Sequence, residues 1–286
     1  MAEDAIRRLI VCADDFAVHP SASLGIVQLA RCGRISATSA MVLSPHWSRD
    51  VALLQGVRER IDVGLHLDWT SDFALASGHG MTLGRTMRQA LLGGFDQGQA
   101  RRVIDHQLDL FESHWGDAPD FVDGHQHVQQ FDGIRQALVE VLARRYAALP
   151  RQPYVRISRA AREGLDFKSA VISAMGANAL EKIADHVGIA SSGTLFGIYD
   201  FQADGSRYAG LMKRWLRQVR PGSILMCHPA LAADPGDALG ATRWQEFTYL
   251  SGSDFAAALQ QARVRPARGH EVLSRRLSQK GPQPPP

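Results

Sequence analysis

Acidic and histidine side chains follow several short apolar runs in this sequence. Two adjacent carboxylates, Asp14 and Asp15, come directly after the run 9–12, which has the composition of a buried strand. Of the 11 histidines, four stand where predicted strands end: His66, His125, His127 and His228. Charged or polar groups at the end of a buried strand either form a turn that caps a helix or hold a charged partner.

These side chains match the ligands of a divalent metal ion. One carboxylate and two imidazoles commonly hold such an ion and leave positions open for water and substrate. Either Asp14 or Asp15 can supply the oxygen, and His66 and His125 can supply the nitrogens. The other carboxylate is then available as a general base for the attacking water. The pattern predicts a hydrolytic metal site with one carboxylate ligand and one carboxylate base.

Each of these residues also has an ordinary structural interpretation. An Asp-Asp pair in a loop can form a turn and a helix cap, and His66, between two leucines, can be a hydrogen-bonded core residue. His228 stands before a proline and can simply close a strand. The segment 123–127, Asp-Gly-His-Gln-His, has no evident packing use. Placement of all these residues at strand ends favours a site.

Short apolar runs alternate with helical patterns along the chain, which indicates βα units around a parallel sheet. Strands are predicted at 9–12, 36–43, 61–67, 121–122, 154–158, 192–198 and 223–227. Helices are predicted from a cap at Ser21 or Ser23 to Gly33, and at 50–58, 99–115, 134–148, 168–186, 208–219 and 253–262. The segment 69–84 is predicted as a long lid or binding loop. Parallel strand ends share one face, so the polar residues should converge there.

Composition limits the class of protein. The chain has 286 residues, 45% of them hydrophobic, and a net charge of +3, which suits one globular domain over 1–280 followed by a disordered Pro-rich tail at 281–286. Arginine pairs on predicted helices are typical of solvated faces, so we expect no nucleic-acid partner. The three cysteines form no paired framework, which favours a reducing, cytoplasmic location. We find no signal peptide or membrane span and expect no membrane partner.

Four motifs in register resemble the YdjC-like carbohydrate deacetylase family, which includes the chitooligosaccharide deacetylases and a hopanoid-biosynthesis relative. The resemblance covers nearly the whole chain up to about Leu250. It rests on Leu-Ile-Val-Cys-Ala-Asp-Asp-Phe at 9–16, Gly-Leu-His-Leu at 64–67, Val-Asp-Gly-His-Gln-His at 122–127 and Met-Cys-His-Pro at 226–229. It implies a single-domain α/β fold, a deformed (β/α) TIM-like barrel, and a hydrolase that removes an N-acetyl group from an amino sugar or short oligosaccharide. It also implies a homodimer.

The resemblance implies a role for each matching residue. Asp15, His66 and His125 would hold one divalent ion, which could be Mg, Zn, Mn or Co. Asp14 would be the general base, and His228 would protonate the leaving amine or stabilise the oxyanion. Supporting or substrate-binding roles would fall to Asp123, which would hold a histidine ring, and to His127, Arg156 and Trp69. Arg156 could orient Asp14 or a sugar hydroxyl. Apart from the resemblance, Trp69 and Phe73, in the loop after His66, and Trp47 are candidates either for a sugar-stacking wall or for ordinary packing.

This chain departs from the family pattern at three positions. Cys12 and Ala17 stand where relatives usually have Asn and Gly, and Gln129 stands where the family often has a further histidine. Gln129 is neither an acid nor a good ligand, so that position is not essential or substrate handling has changed.

Two other classes of function are compatible with these residues. A metal-dependent hydrolase can act on an amide or ester outside carbohydrates, because one fold supports many reactions. A non-catalytic sugar-binding protein is the other alternative. A base beside a metal site argues against it, since binding alone needs no base.

Overall fold

A single curved sheet forms the centre of the molecule. The computed structural model describes residues 6–161, 174–202 and 204–273. Within them, nine strands follow one another along the chain: β1 (Arg7–Phe16), β2 (Ala37–Ala40), β3 (Asp62–Leu67), β4 (Phe121–Gly124), β5 (Tyr154–Val155), β6 (Arg159–Ala160), β7 (Thr194–Phe196), β8 (Ile224–Cys227) and β9 (Val264–Pro266).

The strands are parallel and lie in the order β5-β4-β3-β2-β1-β8-β7-β6, with β9 paired to the start of β1. Between β5 and β7 the sheet closes through Val155, whose N–H donates to Ala190 O (2.9 Å) and whose carbonyl accepts from the N–H of Ser192 (3.0 Å). The predicted strand 154–158 is thus a short strand that bends, and β6 continues it alongside β7. This irregular closure confirms the prediction of a deformed (β/α) barrel.

The helices pack around the sheet. They are α1 (Pro20–Arg31), α2 (Trp47–Gln55), α3 (Asp72–Ala76), α4 (Leu83–Leu91), α5 (Gln97–Trp115), α6 (Ile134–Arg145), α7 (Ala177–His186), α8 (Gly205–Arg217), α9 (Gly240–Ser251) and α10 (Ser253–Gln261), with a 3₁₀ segment at His125–Gln130. On α5 the apolar residues Ile104, Leu108, Phe111 and Trp115 are buried. Arg144 and Arg145 on α6 pair with acids of α5, as a solvated helix face should. Among the described residues, no helix has the length and apolar content that crossing a bilayer requires.

Several element predictions need correction. Helix α1 is capped by His19, whose Nδ1 accepts from Ala22 N (3.1 Å), rather than by Ser21 or Ser23. Ser23 donates its hydroxyl to Asp50 (2.7 Å) instead. The loop predicted at 69–84 contains α3 and the start of α4. Helix α9 and strand β9 were not predicted at all.

Other predictions fall beyond the described residues. The predicted helix 168–186 is described only from its later part, where α7 lies, and residues 168–173 are outside the described ranges. The predicted Pro-rich tail at 281–286 is also outside them.

The amino ends of the strands are fastened by the chain that follows β9. Arg268 donates from Nε to Asp62 Oδ1 (2.8 Å) at the start of β3, and Asp62 also accepts from the N–H of Gly269. In the middle of β3, the absence of a side chain at Gly64 leaves room for Phe121, because a Cβ there would lie 2.6 Å from the ring. These contacts fix β3, which carries His66.

Candidate active site

The polar residues at the carboxyl ends of the strands meet in one cavity. Its volume is about 590 Å³. Its polar lining consists of Asp14, Asp15, His66, His125, Gln126, His127, Gln130 and His228. These side chains come from β1, from β3 and from the segments that follow β4 and β8, so the parallel topology brings distant parts of the chain together.

Three of these side chains converge on one point. Asp15 Oδ1 lies 3.3 Å from His66 Nε2 and 3.3 Å from His125 Nδ1. Each of the three residues offers a ligand atom, and these atoms lie within 4.8 Å of one another. Asp15 Oδ1 is buried and has no well-aligned hydrogen-bond donor among the described residues. A buried carboxylate oxygen facing two imidazole nitrogens fits a divalent ion, and we call these three atoms the ion site.

An unusual backbone aims these side chains. Asp15 has φ 63°, Ala17 has φ 69°, and Gln126 and His127, which follow β4, have φ 52° and 64°. Residues other than glycine rarely occupy this left-handed region, and those that do cluster at functional sites. At Ala17 the left-handed backbone is one that glycine would adopt at less cost than alanine. The strand end and the 3₁₀ segment therefore accept unfavourable backbone to turn their side chains into the cavity.

His66 is oriented from behind by Asp123. Its Nδ1 lies 2.6 Å from Asp123 Oδ1 and 3.0 Å from the Ser39 hydroxyl. Burial lowers the pKa of His66, but the surrounding carboxylates, Asp123 first and then Asp15 and Asp14, together outweigh burial and raise that pKa to about 10. An ion bound at Nε2 would replace the proton there, because histidine ligates as the neutral ring. The predicted role of Asp123, to hold a histidine by its other ring nitrogen, matches this placement.

Asp14 forms a different pair, with Arg156. The guanidinium donates to Asp14 Oδ1 (2.7 Å) and Oδ2 (2.8 Å) and lies 2.8 Å from Asp123 Oδ2. Burial would raise the pKa of Asp14, but Arg156 opposes it and lowers the pKa to about 2. Arg156 is fully buried, so it orients Asp14 and does not reach a sugar hydroxyl. Cys12, Asp14 and Asp123 also lie close enough to hold an ion, but Arg156 already pairs with both carboxylates.

His228 lies at the cavity edge beside Phe201, with ring centroids 5.2 Å apart. Burial lowers its pKa to about 4, so the ring is neutral near pH 7. Its Nδ1 has no partner among the described residues, and its backbone N–H donates to Glu246 Oε2 (2.6 Å). His228 therefore places at the cavity a neutral ring with a buried Nδ1 that is unpaired within the described part of the chain.

The two remaining residues of the histidine segment have different surroundings. His127 lines the cavity, its Nδ1 lies 3.0 Å from the Ser158 hydroxyl, and burial lowers its pKa well below the ordinary value. Gln129 is fully buried and donates to Arg156 O and Ser158 Oγ, both at 3.1 Å. Gln129 thus supports the backbone of Arg156, which explains how a residue without acid or ligand chemistry fits there.

The aromatic wall predicted from the sequence is not supported. Trp69 is 2% exposed and packs against His79 and Phe95, and its ring does not line the cavity. Trp47 is also buried and stacks on Phe111. Trp47 packs against α5, where its Nε1 also donates to Leu110 O (3.1 Å). The apolar lining of the cavity comes instead from Leu83, Met87, Phe131, Met175, Phe201, Met226, Ala238 and Leu239.

Arg243 is a site residue that the sequence reasoning missed. It lies on α9, is 3% exposed, and donates from NH2 to Asp15 Oδ2 (2.7 Å) and from Nε to Asp237. Glu246, one turn later, accepts hydrogen bonds from the backbone N–H of His228 and from the Tyr199 hydroxyl, both at 2.6 Å. Arg and Glu three positions apart read as a solvated pair, so the sequence gives no signal that both point inward.

Comparison with known proteins finds one matching family and several curated relatives. The family model described as YdjC-like protein matches residues 8–261. The chain is 30% identical over 161 residues to a carbohydrate deacetylase of Homo sapiens, covering 52% of this chain and 49% of that protein. It is 30% identical over 148 residues to a chitooligosaccharide deacetylase of Enterobacter sp. (strain 638), covering 50% and 58%. The chain thus spans about half the length of the curated relatives it matches.

A solved structure supports the fold. A chain from Enterococcus faecalis V583, described as a cellobiose-phosphate cleavage protein, superposes with a TM-score of 0.71 at 18% identity. The alignment covers 94% of this chain and 100% of that one. At this identity the likeness extends to the architecture alone.

Proposed function

Because the chain belongs to the YdjC-like protein family, we propose that it is a metal-dependent hydrolase that removes an N-acetyl group from an amino sugar or short oligosaccharide. The observation that carries the proposal is the ion site, Asp15 with His66 and His125, placed beside Asp14 and His228 in one cavity. Curated relatives that share about 30% identity are named carbohydrate and chitooligosaccharide deacetylases, which supports the choice of substrate.

The ion site has the donors that a catalytic divalent ion needs. One carboxylate oxygen and two imidazole nitrogens leave positions for water and substrate and suit Zn, and with added waters also Mg, Mn or Co. When bound, the ion supplies Lewis-acid polarisation of the amide carbonyl and a lowered pKa of water.

Asp14 is proposed as the general base. Its low pKa keeps it ionised, and Arg156 holds both of its oxygens in place. It would take the proton of the attacking water as the carbon–oxygen bond forms. His228 would give a proton to the amine nitrogen as the carbon–nitrogen bond breaks. Because His228 is neutral in the resting protein, it would first take up the proton that Asp14 removed from the water, which returns Asp14 to its ionised form.

One observation favours a second candidate function. About half of the residues that line the cavity are apolar, among them Leu83, Met87 and Leu239, whose side chains offer no hydrogen bonds to sugar hydroxyls. A metal-dependent amide or ester hydrolase that acts on a non-carbohydrate substrate would use such walls. Acetate release from simple esters without release from N-acetyl sugars would favour this candidate.

The experiment is acetate release from a panel of N-acetylated mono- and disaccharides. Ion-loaded protein should release acetate, and chelated protein should not. Asp14→Asn should retain the ion and lose turnover by about 10²–10⁴-fold, the range for removing a general base. His66→Ala should lose the ion. His106→Ala, at an exposed histidine on α5, is the matched control and should change neither.

Other outcomes would revise the proposal. If Asp14→Asn lost the ion as well as activity, the roles of Asp14 and Asp15 would be shared or reversed. Full ion content in His66→Ala would remove His66 from the ligand set. Sugar binding without product would leave the non-catalytic alternative. The homodimer and the cytoplasmic location stay predictions, and light scattering of the purified protein tests the first.

A further inference from the structure

The two oxygens of Asp15 have different partners. Oδ1 faces His66 and His125 and lacks a well-aligned donor among the described residues. Oδ2 accepts a charge-assisted hydrogen bond of 2.7 Å from Arg243 NH2. The carboxylate is buried and its backbone is left-handed, so it has little freedom to exchange the two oxygens.

Arg243 is itself fixed from behind. Its Nε donates to Asp237, which also accepts from the N–H of Leu239 (2.8 Å) at Oδ1. The Oδ2 atom of Asp237 lies 3.3 Å from His19 Nε2, and His19 caps α1. A planar guanidinium that spans two carboxylates has a defined orientation, which a lysine ammonium cannot reproduce. The α1 start and the β8–α9 connection thus set where Arg243 points.

This arrangement has a consequence for coordination. A carboxylate can bind a divalent ion through one oxygen or through both. Since Arg243 occupies Oδ2, only Oδ1 is free to bind an ion beside the two histidines. An ion with three protein donors keeps more positions open for water and substrate than an ion with four.

We propose that Arg243 is a positioning residue that restricts Asp15 to one-oxygen coordination and keeps a coordination position open. The inference rests on the proposed function for its purpose, but it concerns only how this chain holds an ion. It also implies that Arg243 lowers ion affinity, because its positive charge offsets that of the Asp15 carboxylate.

The test compares Co²⁺ binding by wild type, Arg243→Met and Arg243→Lys. The readouts are the dissociation constant from calorimetry and the visible absorption of bound Co²⁺, whose intensity falls as coordination number rises. Arg243→Met should bind Co²⁺ at least about tenfold more tightly, because the variant removes the positive charge that offsets the Asp15 carboxylate. Its absorption should weaken, because both Asp15 oxygens bind. Arg243→Lys keeps the positive charge but lacks the planar guanidinium that spans two carboxylates. Its dissociation constant and its absorption intensity should lie between those of wild type and Arg243→Met.

If Arg243 had a merely structural role, its replacement by Met would weaken Co²⁺ binding instead of tightening it. Weaker Co²⁺ binding by Arg243→Met, or an unchanged absorption spectrum, would overturn the proposal. If Arg243→Met did not fold, Arg243→Lys alone would decide it, since wild-type affinity and spectrum in that variant would also overturn it. If wild type released no acetate from any sugar, the proposed function would fail while the Co²⁺ readouts still decided the role of Arg243.

Discussion

Asp123 contacts His66 but not the ion site itself, so its role can be separated from that of a ligand. Its Oδ1 lies 2.6 Å from His66 Nδ1. In Asp123→Asn the neutral amide holds the ring less firmly, and we expect affinity for Zn²⁺ to fall about 10–100-fold, as for other groups that orient a histidine ligand. Calorimetry measures the change. Asp105→Asn, on the solvated face of α5, should leave the affinity unchanged, and equal affinities in both variants would contradict the expectation.

Glu246 should make stability depend on pH. Burial raises its pKa from 4.5 to about 7, although the hydrogen bonds from the Tyr199 hydroxyl and the His228 N–H, and then the charge of Arg243, lower that pKa. The folded state therefore holds this proton more tightly than the unfolded state, and the associated stability is present below about pH 4.5 and is lost as pH rises through about 7.

Glu246→Gln removes that titration. Relative to wild type, the free energy of unfolding of the variant should increase between pH 5 and pH 8, by up to about 3 kcal/mol for a shift of this size. Urea unfolding at the two pH values measures it. A difference that is the same at both pH values would show that Glu246 does not titrate in this range.

Among the residues of the site, the sequence identifies those that stand at the ends of predicted strands. Asp14, Asp15, His66, His125 and His228 are recognisable because their motifs end apolar runs, and the structure brings all five into one cavity. Arg243 and Glu246 lie within a helix with mixed polarity, and their burial depends on how α9 packs. Local pattern carries no information on that packing.

Among the secondary-structure elements, β3 depends on a glycine. A Cβ at Gly64 would lie 2.6 Å from the Phe121 ring, which cannot yield because it packs on Tyr154. We expect Gly64→Ala to lower the free energy of unfolding by about 1–3 kcal/mol, the cost of overpacking a core. Chemical denaturation tests this.

The matched control is Gly210→Ala on α8, where a Cβ would meet nothing within 4 Å. Alanine is the better helix former, so this variant should be more stable by up to about 1 kcal/mol. Similar changes in both variants would mean that the close contact at Gly64 is relieved by small shifts.

The strands were easier to predict than their ends. Apolar runs place β1, β3, β4 and β8 correctly, but β1 continues through the acidic pair to Phe16. The run 154–160 breaks because its backbone pairs first with 190–192 and then with β7, on either side of a bend. Such a break arises from barrel closure, which no local window of sequence contains.

For the whole molecule, the two ends of the barrel have separate tasks. Arg268 and Asp62 pair at the amino end of the strands, opposite the ion site. Arg268→Gln leaves the buried Asp62 carboxylate with weaker partners, and we expect the free energy of unfolding to fall by about 1–3 kcal/mol. Acetate release by the folded variant should be unchanged.

Arg265→Gln is the control for that prediction. Arg265 NH2 lies 3.2 Å from Glu271 Oε2, and both side chains are partly exposed to solvent. Loss of this ion pair should therefore change the free energy of unfolding by less than about 0.5 kcal/mol. Thermal unfolding and turnover of the two variants give both comparisons. A loss of activity in Arg268→Gln at full folding would show that the two ends of the barrel are coupled.

The order of the site residues along the chain has an evolutionary consequence. Asp15, His66 and His125 come from the first half, whereas His228, Arg243 and Glu246 come from the last quarter. On the proposed roles, substitutions in that last quarter would change the proton donor His228 and the positioning residue Arg243 while Asp15, His66 and His125 stay intact. Under that proposal, descendants of one ancestral chain would diverge in reaction and substrate and still keep the same three donor residues.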